Sequence, residues 1–319
     1  MSGKALAAGK STLRFPTQNR RLTPCRSLKV PVMSDDLPAD LPVLPKRAAQ
    51  SHKGDYGHAL IVGGSRGMAG AVALAGMSAL RGGAGLVTLA VPEQIIATVA
   101  SLNPCYMTLG LASDPAGHIA GGAREPIEKG AEGATAAAIG PGLGRSPALN
   151  KLVSKLYATL RQPLVVDADA LNALAEQGPL PKPAGPRILT PHPGEFARLC
   201  GHADVDVDRQ RVLADELARH WGVVLVLKGH RTLVTDGQRH VENTTGNPGM
   251  ATGGTGDVLT GVIVALLCQG LATFEAAQLG VYLHGLSGDL AAAKLGEVSL
   301  IAGDLVRYLP SALMRLAQG

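Results

Sequence analysis

The segment Asn247-Pro-Gly-Met-Ala-Thr-Gly-Gly-Thr-Gly-Asp257 places glycines at 249, 253, 254 and 256 directly before one carboxylate and a long apolar run. Glycine turns tightly and brings bare N–H groups close to an anion. A helix beginning near Asp257 adds unpaired amides and the positive end of its dipole. The combination is suited to holding phosphate and taking a proton. A carboxylate there repels phosphate unless it has chemical work, and the expected work is deprotonation of a substrate hydroxyl beside a nucleotide phosphate. The alternative is that Asp257 only caps the helix.

Four further loops carry reactive or flexible residues. Lys228-Gly-His-Arg-Thr232 offers a cation, a tight turn and a hydroxyl, suited to a nucleotide's phosphate, ribose or base, or simply forms a turn. In Thr190-Pro-His-Pro-Gly-Glu195 two prolines fix the backbone around His192. That imidazole either meets a polar substrate or is held by backbone partners. Asp167 and Asp169 are candidates for placing a magnesium ion through water, with Asp169 equally suited to capping the next helix. Gly63-Gly-Ser-Arg-Gly67 is a turn or a ligand contact, and it is not the usual dinucleotide fingerprint.

The elements that position these loops alternate. Apolar runs at 58–63, 86–91, 136–139, 164–167, 187–190, 223–227 and 232–235 read as strands. Helices are expected at 69–81, 93–102, 146–160, 170–177, 194–199, 206–221, 256–269, 273–293 and 299–309, with an antiparallel edge strand at 240–243. Alternation of this kind implies an α/β/α protein with three layers and a mostly parallel central sheet. The loops at 63–70, 140–144, 167–172, 190–195 and 228–232 then share the carboxyl edge of the sheet.

Composition narrows the function further. The 319 residues carry a net charge of +5, but residues 1–32 hold seven basic side chains and no acid, leaving 23 basic against 25 acidic in the rest. A near-neutral body offers no basic groove for nucleic acid. Residues 1–45 read as a disordered basic tail, resembling a transit peptide or reflecting a start at Met33, and 46–319 as one domain. The cysteines at 25, 105, 200 and 268 have no paired spacing, which points away from zinc and disulfides and towards a reducing cytoplasm. The uncharged run 258–273 contains Thr260 and Gln269 and is short for a bilayer, so it is expected to be a buried helix and no membrane association is expected.

Taken in order, Gly54-Asp-Tyr-Gly-His58, Gly67-Met-Ala-Gly-Ala71, Leu80-Arg-Gly-Gly-Ala-Gly-Leu86, Gly140-Pro-Gly-Leu-Gly144, Val166-Asp-Ala-Asp-Ala-Leu-Asn172, Thr190 to Glu195, Lys228 to Thr232 and Gly253 to Asp257 resemble the ADP- or ATP-dependent NAD(P)H-hydrate dehydratases of the ribokinase-like superfamily. The resemblance spans about 54–310. It implies a ribokinase-like fold and repair of hydrated NADH or NADPH (NADHX, NADPHX): the ring hydroxyl is phosphorylated by a nucleotide, then phosphate leaves to restore the dihydropyridine, with phosphate and AMP released when ADP is used.

Carried over by position, the resemblance makes Asp257 the base and a hydrate contact, and Gly253, Gly254, Thr255 and Gly256 the anion hole. Lys228, Gly229, His230, Arg231 and Thr232, with Gly256, become the adenine-nucleotide site, and Ala71, Gly142, Gly144 and His192 contacts to the hydrate. It further implies magnesium, ADP in preference to ATP, and a homo-oligomer such as a tetramer. The chain has no room for a fused epimerase domain, so pairing with a separate epimerase is expected. The rival readings are a hydroxymethylpyrimidine or hydroxyethylthiazole kinase, which shares Asp257 but releases a stable phosphorylated product, and a nucleotide sensor, which has no need of that carboxylate.

Overall fold

The computed structural model describes residues 38, 40–201 and 206–318; the basic segment 1–32 lies outside them. In chain order the elements are β1 (His58–Val62), α1 (Ala69–Arg81), β2 (Leu86–Pro92), α2 (Ile96–Leu102), β3 (Met107–Leu111), α3 (Arg124–Glu132), β4 (Ala136–Ile139), α4 (Pro147–Thr159), β5 (Leu164–Val166) and α5 (Ala168–Glu176). They continue with β6 (Arg187–Leu189), α6 (Pro193–Cys200), α7 (Val207–Trp221), β7 (Val224–Leu227), β8 (Leu233–Thr235), β9 (His240–Glu242), α8 (Thr255–Cys268), α9 (Thr273–Leu295) and α10 (Ala302–Leu316).

One sheet runs β3-β2-β1-β4-β5-β6-β7-β8-β9. β1 to β7 pair in parallel, whereas β8 and β9 form an antiparallel edge. β1, β4, β5 and β7 are short and apolar, and almost every residue in them is buried. Strands covered on both faces read as continuous apolar runs. Leu60, Val62, Ile139, Val166, Leu189 and Leu225 face a core completed by α3 to α7. On the other face α8 lies under β1, β4 and β5 and packs on α1 and α9. The three-layer α/β/α arrangement is the expected one.

α8 is buried from Val258 to Cys268, which accounts for its uncharged sequence. Gly261 lets it approach α1 closely, because a Cβ there would run into the Ala75 carbonyl. No helix among the described residues is long and apolar enough to cross a membrane.

Two elements lie where the sequence pattern suggests none. β3 is the sheet's outer strand with Met107 45% exposed, so its apolar signal is diluted. α3 is polar and carries Pro126 and Gly130, which weaken the helical pattern. α8 also starts at Thr255, ahead of the expected boundary near Asp257. Gly254 takes the capping position with φ +93°, and Asp257 stands one place further into the first turn than Gly256.

The chain leaves β1 in one direction to β2 and β3, then crosses back to β4 on the other side of β1. Such a switch point opens a crevice at the carboxyl ends of the flanking strands. Gly63–Met68 and Gly140–Gly144 leave those two ends. Asp167, Thr190 and Lys228 follow β5, β6 and β7 along the same edge.

Candidate active site

At that edge Asp167, Ala168, His192, Pro193, Glu195, Lys228, Gly229, Gly254, Thr255, Gly256 and Asp257 line an open cleft of about 430 Å³. Three sequence-distant loops and the start of α8 therefore meet. Gly254 in the left-handed region turns the backbone into the helix. Among the described residues the N–H groups of Gly253, Gly254, Thr255, Gly256 and Asp257 have no hydrogen-bond acceptor. Unpaired amides at a helix start are an anion-binding arrangement.

Asp257 makes no side-chain capping bond, so its carboxylate is left for other work. Burial pushes its carboxyl up to about 7, with Asp167 and Asp169 adding to the rise and Lys228 opposing it. A base with such a value sits close to the pH at which proton transfer is most efficient.

Behind it lies a buried ion pair. Asp167, 1% exposed, accepts from Lys228 Nζ at 2.6 Å and Thr190 Oγ1 at 2.8 Å on one oxygen, and from Thr260 Oγ1 at 2.8 Å on the other. Lys228 Nζ also stands 3.9 Å from Glu195 Oε2. Burial pushes the Lys228 ammonium down, but Asp167 and Glu195 together hold it above its ordinary value. The lysine is a permanent cation. Gly256 lies over it: a Cβ there would stand 3.4 Å from Lys228 Nζ, so the glycine leaves that side of the cation uncovered.

His192 caps α6. Its Nδ1 accepts from the Gly194 and Glu195 amides at 3.0 and 3.3 Å, while Glu195 Oε2 accepts from the His192 amide at 2.8 Å. This reciprocal capping box explains the Pro-His-Pro-Gly-Glu spelling. Because Nδ1 accepts, the proton of the neutral ring is on Nε2. Burial, Lys228 and Arg198 lower the pKa of His192 and keep it in that form. Burial pushes Glu195 up to about 7, with Lys228 opposing.

The structure separates the other expected contacts into two groups. Gly142 packs on α1, where a Cβ would stand 3.0 Å from Ala71 Cβ. Gly144 donates to Asp169 Oδ2 at 2.9 Å. Ala71, Gly142 and Gly144 thus form a neighbouring wall at the switch point, joined to the cleft through Asp169. His230 and Arg231 are exposed and stand outside the cleft lining, and Arg231 is paired with Glu242 at 2.8 Å. Thr232 Oγ1 closes its own turn on the Gly229 carbonyl. Of that loop only Lys228 and Gly229 reach the cleft.

Sequence reasoning missed the second role of Glu195, the Thr260 contact and His284. His284 Nε2 donates to the Thr255 carbonyl at 2.9 Å, and burial pushes the imidazole down to about 4, so it stays a neutral donor. Its position 29 residues away on α9 gives no local signal. Asp169 accepts no capping bond from the start of α5, whose capping position Asp167 occupies without a side-chain capping bond.

A sequence model of the NAD(P)H-hydrate dehydratase family matches residues 59–311. The bifunctional NAD(P)H-hydrate repair enzyme Nnr of Moorella thermoacetica is 48% identical over 279 residues, which is 86% of this chain and 52% of that protein. Its counterpart in Coxiella burnetii is 43% identical over 84% of this chain and 52% of its own length. The chain spans about half the length of these curated relatives. Among solved structures, the ADP/ATP-dependent NAD(P)H-hydrate dehydratase from Bacillus subtilis, co-crystallised with ATP and Mg2+, superposes with a TM-score of 0.73 at 35% identity, covering 86% of this chain and 94% of that one. A ribokinase-like superfamily protein from Enterococcus faecalis superposes with a TM-score of 0.74 at 27% identity, over 86% and 93% of the two chains. With its three-layer sheet, its amide-lined helix start and Asp257 at one edge, this chain belongs to the NAD(P)H-hydrate dehydratase family and has a ribokinase-like fold.

Proposed function

We propose that the chain is a nucleotide-driven dehydratase of (S)-NADHX and (S)-NADPHX, with ADP as the phosphoryl donor. The observation that carries this reading is Asp257: a carboxylate with a pKa near 7 in the first turn of a helix whose unpaired amides face the same cleft. Asp257 takes the proton of the ring hydroxyl as its oxygen attacks the terminal phosphorus. The bond to the bridging oxygen breaks, and AMP leaves with that electron pair. The hydroxyl is now a phosphate ester. The ring nitrogen's lone pair then expels phosphate, the neighbouring ring carbon loses a proton, and the double bond is restored. The reaction balances as hydrate plus ADP giving NAD(P)H, AMP and phosphate.

The amides of Gly253, Gly254, Thr255 and Gly256 and the Lys228 cation meet the charge on the transferred group, which is the main contribution a protein makes to phosphoryl transfer. Magnesium neutralises phosphate charge when bound. Asp167 already accepts from Lys228, Thr190 and Thr260, and the described residues contain no cluster of three metal-ligating side chains. The residues fit an ion carried mainly by the nucleotide and water, which Asp167 and Asp169 would help to place through that water. A cytoplasmic homotetramer paired in function with an NAD(P)HX epimerase activity completes the proposal.

Purified protein is mixed with magnesium and acid-hydrated NADH or NADPH, and ADP or ATP is added separately. Return of the near-ultraviolet absorbance of the dihydropyridine supports the dehydratase and ranks the nucleotides. If absorbance returns with neither, while a control dehydratase works, the vitamin-precursor kinase reading takes over and a stable phosphorylated product is sought.

Two variants test the nucleotide side. Lys228→Ala removes the cation and should weaken nucleotide binding by about 10–100-fold, the worth of a charge-assisted hydrogen bond; calorimetric titration showing unchanged affinity removes the loop from the site. Gly256→Ala meets only ordinary contacts, at 3.4 Å from Lys228 Nζ and 3.8 Å from Asp167 Oδ2. The fold should therefore persist while the methyl group obstructs the phosphate, raising the nucleotide KM by roughly tenfold, about 1.4 kcal/mol. An unaltered KM places the phosphate elsewhere.

A further inference from the structure

Beside the switch-point wall stands an imidazole that the reaction described so far does not use. His118 belongs to a turn after β3 that is closed by an isolated bridge between Ser113 and Ile119. Asp114 holds it twice, Oδ1 accepting from the His118 amide at 2.9 Å and Oδ2 facing Nδ1 at 3.2 Å. Facing a carboxylate, Nδ1 carries the proton. Nε2 has no hydrogen-bond partner among the described residues, and the side chain retains 23% exposure.

The ring lies against Gly144: a Cβ on that glycine would stand 2.7 Å from His118 Nε2. Gly144, with φ +74°, is thus kept free of a side chain on the side where the imidazole sits. The turn is tied to the loop after β1, since the Arg66 amide donates to the Gly117 carbonyl at 3.1 Å. Ser65 Oγ in turn donates to the Gly142 carbonyl at 2.8 Å. Loops after β1, β3 and β4 are therefore laced into one wall with Nε2 on its surface.

Two arginines belong to the loops of this wall: Arg66, whose amide is bonded to Gly117, and Arg145, next to Gly144. Arg66 uses one nitrogen on Gln94 at 2.6 Å. Arg145, next to Gly144, is 53% exposed and only loosely paired, at 3.9 Å from both Asp169 and Glu176. Both keep unused donors.

We propose that His118 binds the phosphate-bearing arm of the hydrate, with Nε2 donating to a diphosphate oxygen between Arg66 and Arg145. The inference rests on the dehydratase reading, which places the hydrate against Gly142 and Gly144. Gly144 donates to Asp169, whose charge is felt by Asp257, and the proposal sets the ring to be repaired towards Asp257 and the phosphates towards His118. Asp114 acts through His118, as a positioning residue that keeps the proton on Nδ1. With a proton on each ring nitrogen the imidazole donates to Asp114 and to the phosphate oxygen at once.

The test compares His118→Ala and His118→Gln with the wild-type chain for KM of the hydrate, KM of the nucleotide, kcat and salt dependence. His118→Ala is expected to raise the hydrate KM by about tenfold, with kcat and nucleotide KM held, because contacts to a non-reacting arm act on binding. The rise of hydrate KM with salt should be shallower in the variant. His118→Gln, which keeps an amide donor, should recover part of the loss. An unchanged hydrate KM overturns the proposal. So does an equal rise in both KM values without rescue by glutamine, which makes the ring a brace for the wall. Failure of the wild type to turn over any hydrate is the separate failure of the dehydratase reading. Fluorescence titration with NADPH then still reads the phosphate contact, and equal affinity of wild type and His118→Ala overturns it.

Discussion

Asp257→Asn is expected to keep its nucleotide affinity and lose about 10²–10⁴-fold in turnover, the usual worth of a positioned base. Asparagine preserves the shape and the helix start but cannot accept the proton. The wild-type carboxyl, pushed up by burial to about 7, is protonated and inactive below that value. Its rate should therefore rise with pH through about 7 and level off above it, falling tenfold per unit on the acid side. The variant's residual rate should lack that inflection. Single-turnover rates across pH, with nucleotide affinity measured in parallel, check both halves. Near-normal turnover removes Asp257 from the role of base.

The same shift has a stability consequence of opposite sign. A carboxyl whose pKa is higher folded than unfolded binds a proton on folding, so its contribution is present at low pH and lost as pH rises towards 7. Above that value the ionised Asp257 costs the native state on the order of 2–4 kcal/mol. Asp257→Asn should accordingly melt higher than wild type at pH 8, with the gap closing towards pH 5. This is the trade of stability for activity common at catalytic positions.

The second large effect belongs to Asp167→Ala. The substitution strands the Lys228 ammonium and the hydroxyls of Thr190 and Thr260 in a site where Asp167 meets all three. Removing one partner of a buried pair costs about 3–5 kcal/mol, and Tm should fall by roughly 5–15 °C. Activity should fall as well, since Lys228 loses the charge that holds its ammonium at the cleft wall. The double variant Asp167→Ala with Lys228→Met removes both charges and should melt higher than Asp167→Ala alone. Thermal melts of the three proteins check this, and a double variant no more stable than the single shows that the stranded charge is not the cause.

The strand alternation, the buried α8 and the gathering of glycine-rich and acidic loops at one edge were legible because each is a short-range property. Apolar runs such as Ala136–Ile139, too short for a helix and followed by glycine, read as doubly covered strands, and strand ends carry the loops. β3 and α3 were not legible, because an exposed edge and a polar helix with Pro126 and Gly130 weaken the pattern that marks an element. Asp257 and Lys228 stood out for their chemistry, and the fold brings both to the cleft. Their partners were harder: His192 was open between a substrate contact and a ring held by backbone partners, and the structure shows it building the N-terminus of α6 with Glu195.

By itself the sequence determined the order of elements, the chemistry available in each loop and the family, since all three are written in residue types and spacing. Tertiary structure decided the rest. It chose which loop residues reach the cleft, Lys228 and Gly229 rather than Arg231, and it set Asp257 free of capping by placing Gly254 at the helix start. It also raised Asp257 towards neutral pH. The reason is that a pKa or a buried ion pair depends on what lies within a few ångströms. Asp167, Lys228 and Thr260 are separated by 61 and 93 residues from the first of them, and only the folded sheet brings them together.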